Sequence, residues 1–200
     1  MARMPDAHLD LTVTSPPYDG LRKYNGFSFP FEEIAAELYR VTVVGGVVVW
    51  VVGDSVIKGG ESGTSFKQAL HFINLGFNLH DTMIYQKLNF PPLNHRRYEQ
   101  EFEYMFVFSK GKPKTFKPLL VPCKTAGEAY NFAKKGANVK EGNGRRRDEI
   151  RITSDFKTKG NIWPYPVGGS RTGHPAPFPL QLAEDHILSW SGPDDLVYDP

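Results

Sequence analysis

The chain has 200 residues, 40% of them apolar, a formal net charge of +2 and one cysteine, Cys123. That length and apolar share can bury one sizeable core, so one domain with an insertion is the expected organisation. A single cysteine excludes an internal disulfide framework and fits a reducing, cytoplasmic compartment. No apolar run reaches the ~18 residues that cross a bilayer, and the N-terminus carries no signal-peptide segment.

The first predicted element is a strand, Leu9–Thr14, and it runs straight into Thr14-Ser15-Pro16-Pro17-Tyr18. Proline fixes φ near −65° and donates no N–H, so two in succession hold their carbonyl oxygens in set directions. Ser15 offers one acceptor, the Pro16 carbonyl a second, Pro17 stiffens the corner, and Tyr18 offers a stacking face. Such a corner suits a flat ring carrying an exocyclic amine. The amine's lone pair is delocalised into the ring; two acceptors on its N–H groups favour a pyramidal nitrogen able to attack an activated methyl group. Positioning and preorganised dipoles would then carry most of the rate. The alternative is a turn in extended conformation, which Pro-Pro also marks.

A helix follows, with Phe31, Ile34, Ala35 and Leu38 at helical spacing and Glu32-Glu33 in its first turn, where the helix dipole favours acids. Gly45-Gly46 should end that region before a buried strand, Val47–Val52. Asp54 after that strand could touch a substrate or cap a loop, and capping is the simpler role. A second helix is expected from Thr64-Ser65 as caps, with Phe66, Ala69, Leu70 and Ile73 inward and Gly76 as its stop. Thr82–Lys87 and Phe102–Ser109 are expected as paired strands at one sheet edge. Between them, Arg96-Arg97 could meet phosphate or pair with Glu99, Glu101 or Glu103.

Charge is uneven along the chain. Residues 110–159 hold 14 Lys and Arg against 5 Asp and Glu, whereas the remainder holds 10 against 17. Lys134-Lys135 and Arg145-Arg146-Arg147 lie in this positive segment among glycines, where hydrophobic periodicity is poor. A basic insertion between well-patterned strands suits phosphate contact; a solvated loop or linker is the plainer alternative. Pro122-Cys123 also lies here, but no Glu-Asn-Val accompanies it, so ring-carbon methylation through a cysteine nucleophile is set aside. A last helix is expected from Phe178 to Trp190 with Leu180, Ala183 and Ile187 inward, then a strand into Asp199. The histidines His71, His80, His95 and His186 show no metal-ligand spacing, so no metal is expected.

Strands alternating with helices predict a mostly parallel α/β sheet with helices on both faces. Ligands in such sheets sit beyond the carboxyl ends of the strands, which puts Ser15 and Asp199 on one rim.

Five segments in this order resemble the S-adenosylmethionine-dependent DNA amino-methyltransferases of the permuted class, whose catalytic motif precedes the cofactor motif. They are Thr14 to Tyr18, Val47 to Asp54, Tyr104 to Gly111 after a Pro- and Arg-bearing loop (Pro91-Pro92 to Arg96-Arg97), His174 to Pro179, and Leu196 to Pro200. The resemblance implies a Rossmann-like methyltransferase fold, incomplete at its C-terminal end, in three parts: 1–110 as the catalytic half, 111–160 as a DNA target-recognition insertion, and 161–200 as the start of the cofactor-binding half. It implies Ser15, Pro16, Pro17 and Tyr18 as catalytic, and Thr14, His174, Pro175, Phe178, Asp199 and Pro200 around S-adenosylmethionine. DNA contacts fall to Arg97, Lys134, Lys135, Arg145, Arg146 and Arg147. Serine at the motif's first position goes in the family most often with the cytosine amine and aspartate with adenine, so Ser15 favours cytosine N4, with adenine N6 the alternative. A flipped base in double-stranded DNA, a restriction endonuclease counterpart and a prokaryotic or phage source are further implications. The family continues after Asp-Pro with a Phe and a Gly-rich loop, so the chain is expected to be a truncated form, and an inactive nucleic-acid-binding remnant is the rival function.

Overall fold

Seven valines in the eleven residues Thr42–Val52 make this segment the sheet's natural centre, because β-branched side chains favour the pleated surface. The computed structural model describes residues 1, 3–17, 29–90, 92, 96–132, 149–168 and 178–200. In chain order its elements are β1 (Leu9–Thr14), α1 (Phe31–Val41), β2 (Thr42–Val52), β3 (Val56–Ile57), β4 (Gly60–Glu61), α2 (Thr64–Asn74), β5 (Asn78–Lys87), β6 (Phe102–Ser109), β7 (Leu120–Pro122), β8 (Ala129–Phe132), β9 (Glu149–Ile152), β10 (Phe156–Thr158), β11 (Ile162–Tyr165), α3 (Leu180–Trp190) and β12 (Val197–Tyr198). The backbone divides into two compact units, residues 1–117 with 160–200, and residues 118–159; the sequence placed the insertion at 111–160.

The larger unit holds a six-stranded sheet in the order β11-β5-β6-β2-β1-β12. β12 and β2 flank β1 in parallel, and β11 pairs parallel with β5. Only β6 runs against its neighbours, pairing antiparallel with β2 and β5. The expected α/β class with a mostly parallel sheet is therefore the observed one. The β5–β6 pairing is as expected, but β6 is interior and β11 takes the edge. Pro164 sits in that edge strand, where a missing N–H is tolerated.

β2 begins earlier than the glycines suggest. It runs through Gly45-Gly46 from Thr42, and its register with β1 jumps from Leu9↔Thr42 to Leu11↔Val47. Gly45 takes φ +85°, and a Cβ on Gly46 would stand 2.7 Å from Thr42 Cγ2 and 3.1 Å from the Asp10 carbonyl. The glycines thus make a bulge that lets two strands close together rather than a stop.

The core on one face joins Val48, Trp50 and Val52 of β2 to Ala35 and Leu38 of α1, Ala69 and Phe72 of α2, and Phe106 and Phe108 of β6. α1 follows its predicted pattern, with Ala35, Leu38 and Val41 buried and Glu32-Glu33 in the first turn. α2 is turned from the expected orientation: Ser65, Gln68, Ala69 and Phe72 are buried, while Phe66, Leu70 and Ile73 are exposed. Two tertiary hydrogen bonds set that rotation. Trp50 Nε1 donates to Gln68 Oε1 at 2.8 Å, and Ser65 donates to Asp54.

α3 likewise buries Leu182, Asp185, His186, Ser189 and Trp190 and leaves Leu180 exposed, so the expected inward trio of Leu180, Ala183 and Ile187 is corrected. Its polar inward residues are partnered: Tyr165 Oη donates to Asp185 Oδ2 at 2.5 Å, and Ser189 Oγ donates to the Asp185 carbonyl at 2.7 Å. His186 packs on Trp163 with ring centroids 4.7 Å apart. At the amino-terminal rim, Lys114 Nζ reaches Asp10 Oδ1 at 2.6 Å and Asp195 Oδ1 at 2.8 Å, while Asp10 Oδ2 accepts the Leu196 N–H at 2.8 Å. Half-exposed ion pairs contribute little free energy; here they hold β12 in register beside β1.

The smaller unit, where the sequence shows little periodicity, contains two short antiparallel pairs, β7 with β10 and β8 with β9. Backbone bonds from the Cys123 N–H to the Asp155 carbonyl (2.8 Å) and from the Gly127 N–H to the Thr153 carbonyl (3.0 Å) join them.

Candidate active site

β1, β2, β5, β11 and β12 all point their carboxyl ends to one rim of the sheet. Ser15 leaves that rim directly after the Thr14↔Trp50 pair, and Asp199 leaves it after the Thr12↔Tyr198 pair. The sequence-based expectation that both residues face the same rim therefore holds. Thr14 and Pro16 are buried, while Ser15 and Pro17 are partly buried, so the corner is seated in the sheet with one edge open.

The chain leaves β1 towards β2 by way of α1 and reaches β12, on β1's other side, from α3. The strand order therefore reverses at β1. This is a topological switch point, where open α/β sheets bind their ligands. Thr14, Asp199 and Pro200 stand at its mouth, with Asp199 and Pro200 exposed. Phe178 precedes Pro179, the N-cap of α3, and is partly buried. Tyr18, His174 and Pro175 lie outside the described residues, as do Lys134, Lys135, Arg145, Arg146 and Arg147.

On the far side of β1, β2 ends at Val52 and delivers Gly53-Asp54-Ser55. Asp54 is 5% exposed and takes the capping role. Its Oδ1 accepts from Ser62 Oγ and from the Ser65 N–H, each at 3.0 Å, and its Oδ2 accepts from Ser65 Oγ. Burial pushes its carboxyl up, but the hydrogen bonds from Ser65, Ser62 and the start of α2 outweigh that and hold it below the usual range. The carboxylate also sits where the α2 dipole favours negative charge. The expected caps do not act as caps: the N-terminal residue of α2 is flanked by Gly63 in the left-handed region at φ 64°, with no side-chain cap bond.

Arg97 reaches neither Glu99, Glu101 nor Glu103. Its guanidinium binds the Gly59 carbonyl and Glu61 Oε1, both at 2.9 Å, and so pins the β3–β4 hairpin. Glu103 pairs instead with Lys87 at 2.8 Å. Burial lifts the Tyr104 hydroxyl above its usual range, and Asp54 and Glu61 add to the effect. Gln100, a residue the sequence did not single out, donates from Nε2 to the Asp54 carbonyl at 3.5 Å. Ser55 is the other addition: the residue is 4% exposed, and its hydroxyl has no hydrogen-bond partner among the described residues. Among the described residues no group of three or more His, Cys, Asp or Glu could hold a metal ion, and no helix is long and apolar enough to cross a membrane.

A rim with the Ser15-Pro16 corner on one strand, a topological switch point to one side and the Asp54 turn to the other has a layout that can hold a ring beside a donor. The DNA methylase family, of the N6/N4 type, matches residues 9–200. The orphan methyltransferase M.BamHII of Bacillus amyloliquefaciens is 56% identical over 207 residues, covering 98% of this chain and 76% of that protein. Among solved structures, the cytosine-N4-specific PvuII DNA methyltransferase superposes with a TM-score of 0.62 at 19% identity, covering 99% of this chain and 69% of that one. TTHA0409 of Thermus thermophilus, complexed with S-adenosyl-L-methionine, superposes with a TM-score of 0.58 at 23% identity, covering 100% of this chain and 74% of that one. At those identities the two structures speak for the fold alone, and the fold is that of the DNA methyltransferases.

Proposed function

The chain belongs to the DNA methylase family of the N6/N4 type, and from that premise we propose that it methylates the N4 amine of a cytosine extruded from double-stranded DNA, using S-adenosylmethionine. Adenine N6 is the alternative acceptor. The observation that carries this reading is the placement of Ser15-Pro16 on the central strand of three parallel neighbours, with Asp199 beside it on the same rim. Serine rather than a carboxylate at the acceptor position supports cytosine. M.BamHII is described as an orphan methyltransferase, so a restriction endonuclease counterpart forms no part of the proposal.

The residues present fit the cofactor. Thr14, Asp199 and Pro200 stand at the switch point between β1 and β12, and His174, Pro175 and Phe178, which precede α3 in the sequence, are assigned to the cofactor with them. Bound there, S-adenosylmethionine supplies a methyl group made electrophilic by its sulfonium. Ser15 Oγ and the Pro16 carbonyl accept the two amine N–H groups and hold the nitrogen lone pair towards that side of β1. Tyr18 stacks on the base and returns roughly 1–3 kcal/mol of the few kcal/mol that extrusion costs. Duplex DNA and labelled cofactor should yield N4-methylcytosine on nucleoside analysis. Labelled N6-methyladenine would move the acceptor to adenine, and the absence of transfer would overturn the function.

Binding of DNA is assigned to the basic segment and Arg97. Arg97 is partly engaged by Glu61, so the larger share falls to Lys134, Lys135 and Arg145 to Arg147. Replacing Arg145, Arg146 and Arg147 by Gln should weaken binding to all sequences alike. It should also flatten the log–log salt dependence by roughly one unit for each phosphate that an arginine no longer neutralises. An unchanged slope would take the three arginines out of the interface.

A further inference from the structure

Three neighbouring parallel strands deliver their last residues to one rim in lateral order: Asp199 after β12, Ser15 after β1 and Ser55 after β2. If the crevice between β12 and β1 holds the methyl donor, the base gripped by Ser15 must extend over the other side of β1, which is the Ser55 side. The backbone there is fixed. Asp54 is tied to Ser62 and Ser65, Gln100 holds the Asp54 carbonyl, and the Ser55 carbonyl accepts the Ser62 N–H at 2.9 Å. What this scaffold carries is a buried hydroxyl without a partner among the described residues. A buried hydroxyl left unbonded costs stability that an alanine would not, and such groups call for an explanation in a ligand or a strained role.

We propose that Ser55 Oγ–H donates to the ring nitrogen beside the target amine, N3 of cytosine or N1 of adenine, and thereby fixes the in-plane orientation of the extruded base. This inference rests on the proposed function. Ser55 is a positioning residue in this scheme: Ser15 and Pro16 hold the amine, and Ser55 stops the ring from turning about that grip. Both acceptors are unprotonated at neutral pH, so a neutral hydroxyl donor matches either base.

The test uses the full chain, its Ser55→Ala variant, and duplex DNA in which the modified base lacks that ring nitrogen (3-deazacytosine or 1-deazaadenine). Ser55→Ala should lower kcat/KM for DNA roughly tenfold, the scale of one hydrogen bond, with KM for the cofactor unchanged. Its melting temperature should stay level or rise, because no protein partner is removed. On the deaza substrate the wild type should fall to the level of the variant, and the variant should fall no further, as two halves of one contact must. Independent, multiplying losses would overturn the assignment. A lowered melting temperature would do so as well, by showing that the hydroxyl serves the fold. An equally active Ser55→Ala alongside an active wild type sinks this inference alone; a wild type that transfers no methyl to any DNA sinks the proposed function first and this inference with it.

Discussion

A Ser15→Ala chain is expected to transfer methyl groups roughly 10²-fold more slowly than wild type, the scale on which one preorganised dipole contributes to a rate, while binding DNA about as tightly. The amine becomes nucleophilic only when its nitrogen pyramidalises, so an acceptor on its N–H matters more in the transition state than in the ground state. Interactions of that kind appear in kcat rather than in KM. The Pro16 carbonyl survives the substitution and keeps one N–H held, so residual transfer above background should remain. Single-turnover rates at saturating cofactor, with DNA affinity measured separately, check both halves. Ser15→Asp is the informative companion, because a carboxylate accepts more strongly and should retain more activity than alanine. If Ser15→Ala kept the wild-type rate, the grip would have to be assigned to other groups on the rim.

Much of the sheet was legible because its strands bury both faces. Val47–Val52 is continuously apolar, Leu9–Thr14 alternates Leu9, Leu11 and Val13 with Asp10 and threonines, and Phe102–Ser109 is apolar or aromatic apart from Glu103 and Ser109; all three are strands. α1 was legible because one face is uniformly apolar. The helices α2 and α3 were placed but not oriented. Hydropathy assigns Phe66, Leu70 and Leu180 to the interior, yet 50%, 61% and 84% of their surface stays exposed. Their places are taken by Ser65, Gln68, Asp185, His186 and Ser189, polar residues whose bonds to Asp54, Trp50, Tyr165 and neighbouring backbone exist only once the chain is folded. Short β11 escaped detection because a proline interrupts it, and the pairs of the 118–159 unit because each spans only three or four residues.

The candidate site was legible where backbone chemistry is unusual. A diproline after a buried strand is visible in a sequence, and the parallel pairing of β1 with β12 then places Ser15 and Asp199 on one rim. Asp54 was legible as a capping residue, though the backbone N–H it caps belongs to Ser65, eleven residues later, rather than to the adjoining loop. For Arg97 the sequence offered phosphate or a nearby glutamate, Glu99, Glu101 or Glu103, whereas the β3–β4 hairpin brings Glu61 to it from 36 residues away. Ser55 could not be found from sequence. Its signal is a missing partner inside a buried turn, which is a property of three-dimensional surroundings and not of residue type.

The largest loss of stability is expected at Trp50, where the core and the reaction rim meet. Its side chain is 1% exposed and packs against Phe72 at 5.1 Å, Phe31 at 6.0 Å and Phe29 at 6.4 Å between ring centroids. Its backbone stands between Thr14 of β1 and Phe106 of β6. Trp50→Ala should cost about 3–5 kcal/mol, the range for deleting a buried aromatic side chain. It also strands Gln68 Oε1 without its 2.8 Å donor. With total stabilities of roughly 5–15 kcal/mol, that is enough to lower the melting temperature by something near 10 °C or more for a chain of this size. Trp50→Phe separates the two contributions. It keeps an aromatic ring among Phe29, Phe31 and Phe72 but removes the N–H, and should cost about 1–3 kcal/mol as a buried acceptor goes unpaired. Adding Gln68→Leu to Trp50→Phe should recover part of that loss, since an apolar pair leaves no polar atom unbonded. Urea unfolding midpoints, compared at constant m, read all three values. A Trp50→Ala chain less than ~1 kcal/mol below wild type would contradict a core organised around this ring. Phe29 and Phe31 would then need another anchor beside Thr14, and the corner that begins at Ser15 would owe its position to β1 alone.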